Sequence, residues 1–507
     1  MEISGILYDV YSGKQDEFIH TMKKYLVLFA FLLFSCSCLF SQGYRIQVKL
    51  KDFPGDTVVL GHRFNASFVP KDTVVLDKQG NGIFSGNETL PQGMYLIYLP
   101  NKNYFDLLIG NDQEFYVEND TVDCINNIIL KGSDENAAFY KYQQYLQLQS
   151  KKARDIQDKI KASSNPEESD RLKKDLDLLN KEVMDYINQV IADNQGNFFG
   201  TFVKSLQEII VPDPPRDEKG NITDSTFQYR YYKNHYWDNF DPSDVRLLRT
   251  PFYEQKFMTY IEKVVYQIPD TLIKEVDKLI EKSRTDPQLF RYTLITLFNY
   301  YAKSQIMGMD AVYIHIAEKY YIPEASWSDK DFIDKLKDRV EKSKPTLIGQ
   351  IAPDIQLVSL PADHFIAAAE DEELKKNPYL GTFFNLYDVK AEYIILFFWE
   401  ADCGHCKTAT PELYKVYQDL KDKDVKVVAV NLLGGEEGKV KWVNFVNEHG
   451  LYDWINCWNP YDFEFKKIYD IVTTPGLFIL DRDKKILAKK ITPEQAKEII
   501  LALLASK

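Results

Sequence analysis

The sequence is poor in cysteine and histidine, and this shortage limits its chemistry. Its 507 residues include six cysteines and seven histidines. A structural zinc site takes four ligands, and no second Cys-x-x-Cys or Cys-x-x-His pair accompanies the one formed by Cys403 and Cys406. We therefore expect no metal site.

The sequence also lacks an excess of basic residues. Lysine and arginine number 62 against 75 acidic residues, which gives a net charge of -13. Nucleic-acid binding calls for basic patches, so we expect no nucleic-acid partner. The hydrophobic fraction of 45% is typical of a globular protein. At about 100–200 residues per domain, the length predicts about three domains.

No apolar run is long enough to cross a bilayer comfortably, which takes about 20 residues. The run Tyr25 to Phe34 follows the basic start Met22-Lys23-Lys24, a pattern typical of a secretory signal peptide. Residues 1–21 are then an extension before a start at Met22, or else an extended n-region. Cleavage near Gln42 would release an exported protein of the periplasm or cell envelope without a transmembrane span. Lipidation of Cys36 is the membrane-anchored alternative.

Two changes of hydrophobic period divide the remaining chain. From residue 42 to 134, apolar residues alternate with polar ones, as in Tyr44 to Leu50, and turn clusters separate the short segments. This pattern predicts an antiparallel β-sandwich. From 135 to 345 the period is that of helices, including an antiparallel helical hairpin across Ser163–Pro166, and predicts an all-α middle domain.

The Cys-x-x-Cys pair stands where a buried strand gives way to a helix. The run Tyr393 to Phe398 has no polar alternation, as expected of a strand buried on both faces. The helical pattern that follows places Cys403 at a helix N-terminus, where free amide donors favour a thiolate and lower a cysteine pKa from about 8.5 to roughly 3.5–7.5. Cys403 is thus the predicted nucleophile, and Cys406 the resolving thiol.

Other interpretations stay open at this stage. The pair could form a structural disulfide, or a vestigial one in an envelope protein whose β and helical domains bind a partner. A thiol peroxidase is a further alternative, although the Pro-x-x-x-Thr-x-x-Cys setting of a peroxidatic cysteine is absent. Cys124 and Cys457 are single cysteines that we expect to be small buried residues.

Trp399, the Cys403-Gly404-His405-Cys406 centre and the downstream Thr474-Pro475 together resemble the TlpA/ResA type of thiol-disulfide oxidoreductases. The resemblance covers residues 346–507 and implies an α/β thioredoxin fold there. The β segment before it resembles the small domain that precedes such domains in Bacteroidetes envelope proteins.

The resemblance also implies roles for individual residues. Pro475 would be a cis-proline beside the active-site sulfurs, and Trp399, Gly404 and Thr474 would contact the substrate. The implied substrates are thiols and disulfides of exported proteins, with an envelope or membrane redox partner. The Cys403-Cys406 disulfide would be the redox centre, without a further cofactor.

The sequence departs from this family at two places. Asp402 stands where an aromatic residue usually precedes the first cysteine, and Ala409 stands where a glutamate is common. Glu400 is therefore the candidate acid or base for Cys406. His405 would stabilise the Cys403 thiolate, which favours the reduced form and makes the centre more oxidising.

Overall fold

A computed structural model describes residues 43–64, 67–120 and 122–506. The predicted signal peptide, the start at Met22 and the lipidation site Cys36 lie outside these residues. The described chain divides into two compact units, one up to Met258 and one from Thr259 onwards. In the described part of the chain, no helix is both long and apolar enough to cross a membrane.

The first unit begins with two four-stranded sheets whose orders are β4-β1-β7-β8 and β3-β2-β5-β6. Their buried side chains form one apolar cluster. The prediction of a wholly antiparallel arrangement was wrong, because β1 pairs with β7 in parallel. The strands are β1 Tyr44–Leu50, β2 Thr57–Phe64, β3 Ser67–Val75, β4 Asn81–Gly86, β5 Gly93–Tyr98, β6 Tyr104–Ile109, β7 Glu114–Asn119 and β8 Ile129–Lys131.

Helices follow, and the predicted hairpin across Ser163–Pro166 is confirmed by the structure. The second helix of the hairpin has Asn165 as its N-cap, whose side chain accepts from the Glu167 N–H, and a proline in its first turn. The helices of the first unit are α1 Asp134–Ala162, α2 Pro166–Asp193, α3 Phe198–Ser205, α4 Phe227–His235 and α5 Tyr253–Thr259, the last of which ends at the unit boundary.

The second unit combines further helices with the C-terminal α/β fold. Its first helices are amphipathic, and α6 and α7 each begin with a proline in the first turn. These helices are α6 Pro269–Ser283, α7 Pro287–Ala302, α8 Met309–Ile316, α9 Ile322–Glu324 and α10 Lys330–Ser343. The predicted domain boundary at 345/346 therefore lies within one compact unit.

A seven-stranded mixed sheet of order β10-β9-β13-β12-β11-β14-β15 forms the centre of the C-terminal fold. Every residue of its central strand β11 is buried, as predicted from the unbroken apolar run. It pairs in parallel with β12 and antiparallel with β14. The strands are β9 Gln356–Ser359, β10 Thr382–Asn385, β11 Tyr393–Trp399, β12 Val425–Asn431, β13 Ile455–Trp458, β14 Gly476–Asp481 and β15 Ile486–Lys489.

Helices on this sheet complete the predicted βαβαββα order of a thioredoxin fold. The structure adds β9, β10 and β13, which the sequence did not reveal. The helices are α11 Ala362–Ala367, α12 Glu372–Lys376, α13 Gly404–Leu420, α14 Gly435–His449, α15 Glu464–Ile468 and α16 Pro493–Ala505.

The acidic stretch ahead of the central strand includes α12, which is held by a buried lysine. Lys439 of α14 has no exposed surface, and its ammonium donates to the main-chain oxygens of Leu374, at 2.9 Å, and Asn377. Burial lowers the pKa of Lys439 to about 8. The acidic side chains of α12 face solvent, as a solvated helical face requires.

Candidate active site

The two cysteines lie at the first turn of α13, immediately after the end of β11. Cys403 is the N-cap residue of the helix and is half-buried, whereas Cys406 lies one turn inside and is 1% exposed. Both carry free thiols. The site therefore has one thiol within reach of solvent and one covered by the core.

The surroundings of Cys403 favour its thiolate. Burial raises the pKa of Cys403, but hydrogen bonds from the Thr474 side chain, from Cys406 and from the His405 main-chain N–H outweigh it, so the pKa lies below its ordinary value. The direction agrees with the one expected from the helix N-terminus. Cys403 Sγ also lies 3.6 Å from the Thr474 carbonyl oxygen.

Cys406 has the opposite tendency. Burial in the apolar core raises the pKa of Cys406 to about 12, and the nearby Cys403 adds to the rise. A hydrogen bond with the Glu400 main chain acts in the other direction. The two thiols thus differ in the way that the nucleophile and resolving roles require.

Thr474 contacts both active-site cysteines, and Pro475 follows it in the chain. The peptide bond between them is cis. Gly404 is exposed, and a side-chain carbon built on it would meet no other atom within 4 Å. The surface beside Cys403 is therefore open, and Thr474 and Gly404 are both accessible to a substrate.

Trp399 does not fit its predicted role in substrate contact. Its side chain has no exposed surface and packs against Phe397 and Phe445, with ring centroids 6.3 and 5.1 Å away. The reason is its position as the last residue of β11, whose side chains are buried on both faces. Trp399 is a core residue beneath the site.

Glu400 and His405 are near the thiols through their main chains. The contact between Glu400 and Cys406 uses the Glu400 main chain, and the Cys403 N–H donates to the Glu400 carbonyl at 3.3 Å. His405 is exposed in the first helical turn and contacts Cys403 through its N–H. The proposed effects of the Glu400 carboxylate and the His405 imidazole stay predictions.

Sequence reasoning missed the partner of Asp402. Lys441 of α14 forms an ion pair with Asp402 at 2.8 Å, next to the nucleophile. The pair holds the pKa of Asp402 below its ordinary value through a hydrogen bond from Lys441. No local pattern identifies an exposed helical lysine as this partner, because the contact depends on the packing of α14 beside the loop.

The other cysteines and possible metal ligands do not extend the site. Cys457 is fully buried and Cys124 is half-buried. Across the described ranges, which omit residues 1–42, no group of three or more histidine, cysteine, aspartate or glutamate side chains could hold a metal ion.

Comparisons with known families cover three parts of the chain. Residues 348–489 match the AhpC/TSA family. Residues 44–139 and 215–343 match two domains of unknown function, DUF4369 and DUF5106. The matches therefore assign a chemistry to the C-terminal part alone.

Curated relatives share that C-terminal part. Thiol-disulfide oxidoreductase ResA of Bacillus thuringiensis subsp. konkukian is 29% identical over 118 residues, which are 23% of this chain and 65% of the relative. Sporulation thiol-disulfide oxidoreductase A of Bacillus subtilis is 29% identical over 144 residues, or 27% of this chain and 85% of the relative. The chain thus spans 65% of the length of the first of these relatives.

Solved structures resemble the chain as well. A thioredoxin-like protein from Bacteroides caccae is 20% identical and aligns with 59% of this chain and 99% of its own, with a TM-score of 0.41. The thioredoxin domain of a thiol-disulfide oxidoreductase from Bacteroides vulgatus is 26% identical, with coverages of 31% and 96% and a TM-score of 0.25.

The fold of the C-terminal part and its sequence relatives define a thioredoxin-like protein. The C-terminal part of the chain is TlpA/ResA-like, with thiol-disulfide oxidoreductases among its sequence relatives.

Proposed function

We propose that the protein exchanges thiols and disulfides on exported proteins through its Cys403-Gly404-His405-Cys406 centre. The observation that carries this proposal is the contrast between the two thiols. Cys403 is accessible and has a lowered pKa, whereas Cys406 is buried with a pKa of about 12. Such a pair suits attack by the first thiol and resolution by the second.

In the reducing direction, the Cys403 thiolate attacks one sulfur of a substrate disulfide. The substrate S–S bond breaks, and its other sulfur leaves as a thiolate that takes up a proton. Cys406 then loses its proton and attacks Cys403 Sγ, which breaks the mixed disulfide and releases the second substrate thiolate. Two electrons pass from the dithiol to the substrate, and the Cys403-Cys406 disulfide remains. The oxidising direction is the reverse.

The second step requires that Cys406 ionise in spite of its burial. Forming the mixed disulfide removes the Cys403 charge, which is one of the causes of the raised Cys406 pKa. We propose Glu400 as the proton acceptor, because Ala409 stands where the family commonly has a glutamate and Glu400 is an acidic residue next to the site in the sequence. A Glu400→Gln variant that resolves a mixed disulfide as fast as the wild type would remove Glu400 from this role.

The proposed setting is the periplasm or cell envelope. Its basis is the signal-peptide pattern after Met22, and N-terminal sequencing of the mature chain tests it by a start near Gln42. A lipid on Cys36 would instead make the protein membrane-anchored. An envelope or membrane redox partner would restore the dithiol or the disulfide after each turnover.

Turnover of hydroxyethyl disulfide, with dithiothreitol as the reductant, tests the proposed activity. We expect the wild type to be active, and Cys403→Ser to be inactive with its fold unchanged. Wild-type protein that stays folded but inactive would favour the binding protein with a structural or vestigial Cys-x-x-Cys. Rapid turnover of hydrogen peroxide would favour the thiol peroxidase.

A further inference from the structure

A cavity of about 670 Å³ lies beside Pro475 within the second unit. One wall comes from the helices α7, α8 and α10, and the other from the loop around Pro475 and the end of β15. The Thr474 carbonyl before that proline is 3.6 Å from Cys403 Sγ. The cavity therefore borders the loop that carries Thr474, whose carbonyl oxygen lies next to Cys403 Sγ.

Two ion pairs involve four of the charged side chains that line the cavity. Lys489 Nζ is 2.5 Å from Asp310 Oδ2, and Arg339 is 3.2 Å from Asp470 Oδ2. Lys490, the remaining charged residue of the lining, is exposed. Most of the charged side chains that line the cavity are therefore already paired, and this pairing disfavours a strongly charged ligand.

Two buried polar atoms of the cavity are not satisfied. Tyr301 is 2% exposed, and its hydroxyl has no hydrogen-bond partner in the described part of the second unit. Asp310 Oδ1 likewise has no hydrogen-bond partner within residues 259–506. Buried polar groups normally have partners, and an unpaired one costs about 1–3 kcal/mol. One donor and one acceptor complement the C=O and N–H groups of a peptide.

We propose that this cavity holds a stretch of the substrate polypeptide next to its disulfide, with Tyr301 donating to a peptide carbonyl and Asp310 accepting from a peptide N–H. The proposal rests on the proposed exchange activity. In this proposal, the helices before residue 346 contribute to the choice of substrate. The cavity volume is within the range of about 300–1,000 Å³ that holds drug-sized ligands, which is enough for a few peptide residues.

Tyr301→Phe in the full-length protein is the direct test. The change removes only a hydroxyl that has no hydrogen-bond partner among the described residues, so the fold should keep its stability. Two probes are compared, a short peptide with one internal disulfide and hydroxyethyl disulfide, which is too small to fill the cavity. We expect kcat/KM for the peptide to fall about 3–10-fold more than kcat/KM for the small disulfide, through a higher KM.

Tyr321→Phe is the matched control. Its hydroxyl is 3.1 Å from Ser328 Oγ and lies outside the cavity lining, so the ratio of the two activities should stay as in the wild type. Val472→Trp provides a second variant. Val472 is 71% exposed at the cavity, so a larger side chain there should be tolerated and should hinder entry of the peptide.

The outcomes separate this proposal from the exchange activity itself. Wild-type protein inactive on both probes would contradict the exchange activity and, with it, the peptide site. An active wild type whose peptide-to-small-disulfide ratio is unchanged in both Tyr301→Phe and Val472→Trp would overturn the peptide site alone. So would equal losses on both probes.

Discussion

Cys403 Sγ lies 3.6 Å from the carbonyl oxygen of Thr474, although the two residues are 71 positions apart in the sequence. The contact joins the N-terminus of α13, which follows the central strand β11, to the loop before β14, which pairs with β11. A peptide held by the Thr474 loop would lie next to the sulfur that we propose as the nucleophile.

Two substitutions of His405 separate the imidazole from the main-chain N–H. His405→Ala removes only the imidazole, whereas His405→Pro also removes the N–H that contacts Cys403. We expect both to raise the Cys403 pKa and make the centre more reducing, with the larger effect for proline. Each tenfold change in the redox equilibrium is about 30 mV.

Alkylation rate against pH and redox titration against glutathione measure these effects. An alanine variant with unchanged pKa and potential would show that the imidazole has no role and that the N–H accounts for any effect of proline. Unchanged values in both variants would leave Thr474 and the helix terminus as the activators of Cys403.

Trp399→Phe should reduce stability without altering catalysis, because Trp399 is a core residue. We expect a loss of about 0.5–3 kcal/mol in the free energy of unfolding, with kcat/KM for a disulfide peptide unchanged. Trp442→Phe is the control, since Trp442 is also fully buried in the same core cluster. A specific rise in the peptide KM for Trp399→Phe would restore the predicted substrate contact.

The parts of the fold that could be predicted from the sequence have strong local signals. The unbroken apolar run of β11 and the apolar stripe of α13 each fix an element without knowledge of its partners. The four-residue strands β9 and β13 are too short for a period, and the parallel pairing of β1 with β7 depends on distant contacts.

The functional residues likewise differ in whether the sequence predicts them. Cys403 and Cys406 are recognisable from spacing and position, because the chemistry depends on adjacent residues of one helix. The polar atoms of Tyr301 and Asp310, in the cavity beside Pro475, carry no such signal, because only the packing of the helices against the loop around Pro475 forms that cavity. The burial of Trp399 follows from the two-sided burial of β11, which the sequence did indicate.

Lys439 predicts a pH dependence of stability. Burial lowers the pKa of Lys439 to about 8 in the folded protein, against about 10.4 for an exposed lysine. The unfolded chain therefore binds more protons between these pH values, and this residue makes the folded state more stable as pH rises through the window.

Denaturant unfolding of wild type and Lys439→Met between about pH 7 and 10.5 tests this linkage. The difference in stability between the two proteins should shift in favour of the wild type as pH rises. A difference that is constant over the whole range would show that Lys439 titrates normally.

Two C-terminal fragments test the predicted domain boundary. We expect the fragment from Thr346 to fold and to turn over hydroxyethyl disulfide. It should be less stable than the fragment from Thr259, because it loses Asp310, the partner of Lys489, whose side chain is 5% exposed. If the shorter fragment is insoluble while the longer one is active, the helices before residue 346 are needed to complete the fold.

Trapping of the mixed disulfide tests the central claim most directly. The variant Cys406→Ser, with Cys124 and Cys457 also replaced by serine, leaves Cys403 as the single thiol of the described chain. After reaction with a disulfide peptide, mass spectrometry should find one peptide linked to Cys403, and the matched variant with Cys403→Ser and Cys406 retained should stay unmodified. Linkage through Cys406 instead, or no adduct with either variant, would contradict the assignment of Cys403 as the nucleophile of a thiol-disulfide exchange.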